Sequence, residues 1–462
     1  MRWSVFVFSL MMSLAVVAQK PAAETAAAMV FNAWLKAFNS GDIAQYQAFD
    51  EQFQPPRPMT QMTDFHKQTG GFVLVRVEKN EATTFVALLK EKNSDNIGRA
   101  ELTASADNPP KMLGATIRLV PPPADLAPQR LSESDAIAAL VQRIDSAANN
   151  DQFSGAMLIS RKGKLLLEKA WGRADRDKNV PVTVGTQFRV GSMNKMFTAV
   201  GILQLVEARK LALDDPIGKY LKDFVDRDIA SKVTIRHLLT HSGGTGDIFG
   251  PEFDKNRLLL KSHADYTKLY SSRALVHEPG ASFRYSNFGF VLLGAVIEKV
   301  SGLAYYDYVQ RSIFEPAGMK ATGSLPETDA MPMRAQGYMK EAGKWILNTD
   351  TLPWRGTAAG GGYSTVGDLL RFAEALQGGK LISKAMLAEA TRDQMQSYGF
   401  GFGIRGQGAW RGFGHGGGAP GMNGELRIIP VQGYVLVVLS NLDPPAASRE
   451  LDFVAARLPA SR

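Results

Sequence analysis

Between residues 71 and 120, short apolar runs alternate with polar turns. GFVLVRVEK from Gly71, TTFVALLKE from Thr83, GRAELTAS from Gly98 and KMLGATIRLV from Lys111 are separated by turns such as KNE at 79 and NSDN at 93. Runs of that length, bounded by Asn, Ser and Gly, predict antiparallel strands. Ahead of them, Ala23 to Asn39 has helical spacing, and Ser40-Gly41-Asp42 stops it before a second short helix. The pattern predicts a small α+β unit over residues 24–120, a helix packed on an antiparallel sheet. Pro121-Pro122-Pro123, followed by Pro128, predicts a stiff extended linker over 121–131.

Beyond the linker the order changes, and residues 132–460 read as a second domain. A helix from Ser132 to Asn149 precedes a hairpin, SGAMLISRKG from Ser154 and KLLLEKAWG from Lys164. Residues 185 to 400 are rich in helices and loops. Strands return only in GELRIIP from Gly424 and YVLVVLSN from Tyr434, before an amphipathic helix from Ala446 to Leu458. Strands at both ends with helices between predict an α+β sandwich, in which one antiparallel sheet is closed by the two ends of the domain.

One element breaks the usual pattern. From Met196 to Val206 the chain is apolar nearly all round, with Thr198 and Gln204 as its clearly polar side chains. A helix of that kind is buried, yet Lys195 stands at its head, one turn after Ser192. Lysine is rarely buried without a partner. In Ser192-Met193-Asn194-Lys195, three-residue spacing on a helix puts hydroxyl and ammonium on one face. Desolvation lowers a lysine pKa, so such a lysine can help take a serine proton. Alone, the tetrapeptide reads as well as a capping serine followed by a lysine reaching for solvent.

Two further stretches carry candidate chemistry. Tyr285-Ser286-Asn287 precedes an apolar helix and can send alternate side chains into one cleft; it equally fits a turn with Asn287 as helix cap. In GFGHGGGAPGMNGELRIIP, His415-Gly416-Gly417-Gly418 lies just ahead of a strand. Glycines there let backbone approach a ligand closely, or simply form a loop. His237 and His241 have i, i+4 spacing but no acidic third ligand, so no metal is expected. Thr365 to Asp368 fits a capping box, which assigns Ser364 and Thr365 to helix initiation.

Composition narrows the possibilities. No cysteine occurs, which excludes disulfides, thiolate metal sites and a cysteine nucleophile. The formal charge of +8 comes from scattered basic residues without interleaved aromatics, so nucleic-acid binding is not expected. Arg2 and the apolar stretch from Ser4 to Ala18 predict an export signal over 1–18, cleaved after Ala18. No later segment is long and apolar enough to serve as a transmembrane anchor. An exported protein follows, periplasmic in a Gram-negative cell and otherwise secreted; its expected partner is a small-molecule or peptide substrate, and no cofactor is expected.

S-x-x-K, Y-x-N and H-x-G in that order resemble the serine β-lactamase and penicillin-binding protein superfamily, in the branch of class C β-lactamases, D,D-peptidases and related esterases. TIRHLLTHSGG from Thr234 and AAGGGYSTVGDLLRF from Ala358 also look typical of it. The resemblance spans roughly residues 132 to 460. It implies a β-lactamase/transpeptidase-like antiparallel sheet flanked by helices, with a helical subdomain. It further implies Ser192 as acylated nucleophile, Lys195 as its proton partner, Tyr285 as general base and acid, and Asn287 as a substrate-orienting residue. Backbone N–H groups of Ser192 and Gly418 would form the oxyanion hole. The branch usually carries K-T-G where His415-Gly416-Gly417 stands here. Histidine, only partly charged near neutrality, would face the substrate carboxylate in place of a permanent cation. That departure implies a D,D-peptidase, D-amino-acid peptidase or esterase rather than an efficient β-lactamase. The alternative is a penicillin-binding or sensor module that acylates without efficient turnover. A Ser-His-Asp hydrolase is disfavoured because no G-x-S-x-G elbow occurs. The first unit resembles, through WLKAFNSGD from Trp34, cone-shaped folds related to nuclear transport factor 2, and reads as an accessory domain.

Overall fold

The structure, a computed structural model, describes residues 25–54, 59–341 and 343–460; the predicted leader over 1–18 lies outside them. The chain divides into two compact units, one ending at Pro128 and the other beginning at Gln129.

In the first unit, the helix Ala26–Ser40 is capped by the Thr25 hydroxyl, which accepts from the Ala28 N–H. It ends at Gly41, whose φ of +67° suits glycine. Helices Ile43–Phe53 and Met59–Thr69 follow. The pattern above does not predict the latter: MTQMTDFHKQT is polar on average, with only Met59, Met62 and Phe65 apolar. Strands Phe72–Asn80, Thr84–Glu91, Ile97–Ala104 and Met112–Val120 pair antiparallel in chain order. Phe31 and Phe38 of the first helix meet Phe85 and Phe72 of the sheet, with ring centroids 4.4 and 5.3 Å apart.

The second unit is built on a six-stranded antiparallel sheet. Its order is Gly403–Arg405, Gly412–Ala419, Met422–Ile429, Tyr434–Ser440, Gly155–Arg161 and Lys164–Trp171. The two ends of the domain join where Tyr434–Ser440 pairs with Gly155–Arg161. Period-2 alternation sends Met157, Ile159, Leu436 and Val438 to one face, against Leu140 and Ile144 of Glu133–Asn149 and Leu451 and Val454 of Ser448–Arg457. Ala156, Leu158, Val435, Val437 and Leu439 face the larger helical core on the other side. A sheet covered on both faces explains why YVLVVLS is continuously apolar. The glycine run His415–Gly418, left open by the sequence between a ligand-lining backbone and a loop, lies in the strand Gly412–Ala419, whose residues from Phe413 to Ala419 pair with Ile428 to Met422.

The helix Asn194–Glu207 runs through that core, buried on every side from Asn194 to Leu203, and packs against the helix Asn287–Ser301. Its polar members are satisfied. Gln204 donates to the carbonyls of Ser312 and Leu381 at 2.9 and 3.0 Å, and Thr198 donates to that of Ala358 at 2.7 Å. No single helix among the described residues is long and apolar enough to cross a membrane. Helices Asn287–Ser301 and Tyr305–Ala317 together are, but they meet at 79°.

Candidate active site

Ser192 lies in a single 3-10 turn, Gly191–Met193, that leads directly into the helix Asn194–Glu207. Gly191 has φ +51°, which turns the chain from the strand Phe188–Arg189 into the helix. The turn is seated on the glycine strand. A Cβ on Gly417 would lie 2.0 Å from the Val190 carbonyl oxygen, so only glycine permits the approach. The backbone nitrogen of Gly418 lies 3.4 Å from where a Cβ of Gly191 would stand, beside the serine.

Lys195 is fully buried. Its Nζ donates to Ser192 Oγ at 3.3 Å, to Asn287 Oδ1 at 2.7 Å and to the Ala359 carbonyl. The segment carrying Ala359 is laced along the helix by side chains one turn apart. Asn194 Nδ2 donates to the Thr357 carbonyl at 2.8 Å, and Thr198 to that of Ala358. The AAGGGYS stretch therefore serves as a strap that delivers a carbonyl to the lysine. Burial lowers the Lys195 pKa to about 7, while the charge of Asp247 works in the opposite direction.

Asp247 is the residue that sequence reasoning missed. It follows HSGGTG, and that glycine-rich stretch ahead of a lone carboxylate was the available signal. Its carboxylate accepts from the Asn287 backbone N–H at 3.2 Å and from Asn287 Nδ2 at 3.1 Å. With Nδ2 held there, the amide is turned so that Oδ1 faces Lys195. Asn287 thus orients the lysine, with both ends of its amide engaged. It is also not the helix cap: Ser286 is, accepting from the Gly289 N–H.

Burial raises the Tyr285 pKa, against the pull of the neighbouring Ser192 hydroxyl, so that the phenol keeps its proton. Lys195 Nζ lies 4.7 Å from the centroid of its ring. Ser192, Lys195, Tyr285, Asn287 and Gly418 are therefore brought together around one point.

His415 is not part of that group. Its Nδ1 lies 2.6 Å from the Gly416 carbonyl and its Nε2 lies 2.9 Å from the Tyr398 hydroxyl. Only the tautomer protonated on Nδ1 satisfies both, donating to the carbonyl and accepting from the phenol. Burial, and then the Lys195 charge, lower its pKa to about 3. These contacts and the burial favour a neutral ring over the partly charged histidine expected from the sequence. His415 and Gly416 line a cavity of about 310 Å³ with Tyr285, Tyr398 and Arg405. Gly418, by contrast, lines the cavity of about 510 Å³ that opens on Ser192 and Asn287.

The other motifs resolve as structure. His237 closes a capping box with Thr234. His241 is buried, with its ring 4.1 Å from Tyr285 and 4.7 Å from Tyr398, and burial holds it neutral. Among the described residues no acidic and histidine cluster could hold a metal. Thr365 caps its helix, but the Asp368 carboxylate does not complete the box. It accepts instead from the Ala321 N–H and the Thr322 hydroxyl at 2.7 and 2.8 Å.

Residues 136–461 match the Beta-lactamase family. A penicillin-binding protein of Bacillus subtilis (strain 168) is 29% identical over 283 residues, which cover 56% of this chain and 61% of that protein. The chain thus spans about three fifths of that relative's length. Among solved structures, a penicillin-binding protein from Bacillus halodurans is 30% identical at a TM-score of 0.61, covering 67% of this chain and 98% of its own. A D-stereospecific amidohydrolase from Streptomyces sp. is 29% identical at a TM-score of 0.58, covering 69% and 98%. With the family match spanning the whole second unit from its first helix, this chain belongs to the β-lactamase family, within the serine β-lactamase and penicillin-binding protein superfamily.

Proposed function

We propose that the protein is an exported serine hydrolase that cleaves an ester or amide through an acyl-enzyme on Ser192. The observation that carries this reading is a fully buried lysine, with its pKa drawn to about 7, hydrogen-bonded to a serine at the head of a core helix. As a neutral amine Lys195 has two N–H groups and one lone pair. Asn287 Oδ1 and the Ala359 carbonyl take the two N–H groups, and the lone pair is left for the Ser192 hydroxyl proton. Attack of Ser192 Oγ on a carbonyl carbon sends that proton to Lys195. The tetrahedral oxyanion is received by the backbone N–H groups of Ser192 and Gly418, each worth about 3 kcal/mol. Tyr285, a neutral phenol beside Ser192, hands its proton to the leaving group and recovers one from Lys195. Water then repeats the sequence on the acyl-enzyme.

The D-stereospecific amidohydrolase among the similar structures supports an amide or ester of a D-configured residue as substrate. The neutral His415 supports a substrate without a carboxylate at the third motif, away from efficient β-lactam hydrolysis. The apolar stretch at 4–18 supports export, to the periplasm in a Gram-negative cell. The test is intact-mass analysis after fluorophosphonate and fluorescent penicillin treatment. The protein gains one adduct, Ser192→Ala gains none, and the penicillin adduct decays with time. No adduct on the folded protein, or an adduct persisting on Ser192→Ala, sinks the proposal. A permanent penicillin adduct, with no turnover of any ester or amide, assigns it to a sensor instead.

A further inference from the structure

The backbone at His241 is strained. The short helix Ile235–Leu239 ends at its cap Thr240, and the next residue, His241, has φ +57°. Glycine or asparagine is the usual choice at that position, because a Cβ is crowded in the left-handed region. The ring adds a second cost. It is 1% exposed, and its Nδ1 accepts from the Ser286 N–H at 3.1 Å. The neutral ring therefore carries its proton on Nε2, which has no hydrogen-bond partner among the described residues. Strained backbone and an unpaired buried N–H both destabilise the fold, and strain of this kind clusters at functional sites.

What the arrangement achieves is a hold on Tyr285. Residues 283–286 belong to no helix or strand, so no regular element fixes the backbone that carries the phenol. His241 fixes it from both sides. Its carbonyl accepts from the Arg284 N–H at 2.8 Å while its Nδ1 accepts from that of Ser286, so the residues before and after Tyr285 are tied to one histidine. The imidazole also packs on the phenol, with ring centroids 4.1 Å apart and a tilt of 34°. Behind it stand Tyr398 at 4.7 Å and Phe290 at 5.0 Å, which leave the ring little room to move. His241 lines neither the cavity at Ser192 nor the one at His415, so it reaches no ligand itself.

We infer that His241 is a positioning residue for Tyr285, holding the phenol where it can protonate a leaving group. The inference rests on the reading of Tyr285 as proton donor to that group. Loosening Tyr285 slows reactions whose leaving group needs a proton and spares those whose leaving group departs as a stable anion. General damage to the fold would slow both alike.

Two probes separate these cases on the full-length protein. A fluorophosphonate forms the Ser192 Oγ–phosphorus bond as fluoride departs, an anion that needs no proton. Fluorescent penicillin forms the acyl bond as its ring amide C–N bond breaks, and that nitrogen must take up a proton. Intact-mass measurement over time gives the rate of each adduct. In Tyr285→Phe, the reference, the penicillin rate should fall by about a hundredfold more than the fluorophosphonate rate. His241→Ala removes the ring and its acceptor and should show the same selective loss, again about a hundredfold. His241→Asn tolerates the left-handed φ and puts an amide oxygen in the place of Nδ1, so it should recover about tenfold of that loss. In both His241 variants the fluorophosphonate rate, within about threefold of wild type, shows that the fold and the serine–lysine pair are kept. Losses shared equally by the two probes in His241→Asn, or an unchanged penicillin rate in His241→Ala, overturn the inference and leave the acyl-enzyme standing. Equal losses in Tyr285→Phe remove the proton role of Tyr285 and the inference with it. No penicillin adduct on the wild type would remove the acyl-enzyme reading and the inference together.

Discussion

Replacing Lys195 by methionine, an unbranched side chain one atom shorter, removes its titration, so it isolates what burying the amine does to the protein. In the folded state the pKa is about 7, against an ordinary 10.5. Between those values the unfolded chain holds a proton that the folded one has released. Stability must therefore rise with pH through that window. The direction is opposite to that of an ion-paired lysine, whose raised pKa loses stability as pH climbs. Below about pH 7 both states are protonated and the full penalty applies, about 5 kcal/mol for 3.5 units at 1.4 kcal/mol each. Between pH 6 and pH 9 the linkage relation returns about 2.5–3 kcal/mol of that penalty. His241 and His415, the two rings that feel the Lys195 charge, and Asp247, the carboxylate acting on it, are present in both proteins. Urea unfolding at the two pH values is the assay. The wild type should gain about 2.5–3 kcal/mol relative to Lys195→Met on going from pH 6 to pH 9. At the same time wild-type kcat/KM should fall tenfold per unit below about pH 7, as the proton acceptor is filled. A stability difference independent of pH would show that the amine is not desolvated as described, and its role as proton acceptor would fall with it.

Changes elsewhere in the site have expected outcomes of their own. Asp247→Asn removes the charge that favours protonated Lys195 and releases the Asn287 amide to rotate. The acid limb of the pH–rate profile should move to lower pH, and its plateau should drop by about tenfold; a limb that stays in place refutes the electrostatic coupling. Gly417→Ala places a methyl group 2.0 Å from the Val190 carbonyl oxygen and must push the serine turn off its strand. Acylation should slow by about a hundredfold or more, and stopped-flow labelling at wild-type rate would show that Gly418 has no part in the site. Tyr398→Phe leaves His415 Nε2 without its donor. Thermal unfolding should register a loss of about 1–3 kcal/mol, whereas an unchanged melting temperature would show that this bond contributes nothing to holding the ring.

How much of this was legible depends on whether the determining physics is local. The hairpin from Ser154, the strands from Gly424 and Tyr434 and the four strands after Gly71 follow from period-2 patterns and turn residues that adjacent sequence contains. The helix Met59–Thr69 did not show, because only Met59, Met62 and Phe65 are apolar in a short segment that is otherwise polar, and such helices owe their stability to tertiary packing, here of Met62 and Phe65 on the core. Much of the cavity wall comes from residues between 248 and 266 and between 350 and 361, where the chain is largely irregular and carries no periodicity from which to draw a shape.

Within the site, the same distinction separates Lys195 from His415. Lys195 was conspicuous because a cation heads a helix that is apolar on every side, and such a conflict between residue and surroundings commonly marks function. His415 stands in a run of glycines that says nothing about burial, so its charge had to be assumed from its free pKa. Its actual state is decided by the Gly416 carbonyl beside it and by Tyr398, seventeen residues earlier in the chain, which sits across the cavity as a donor. Asp247 escaped for a related reason. It touches no reacting atom, and acts by holding the amide of Asn287, forty residues away, that faces the lysine. Groups that react announce themselves by being out of place; groups that set the charge and orientation of others look ordinary until their partners are seen.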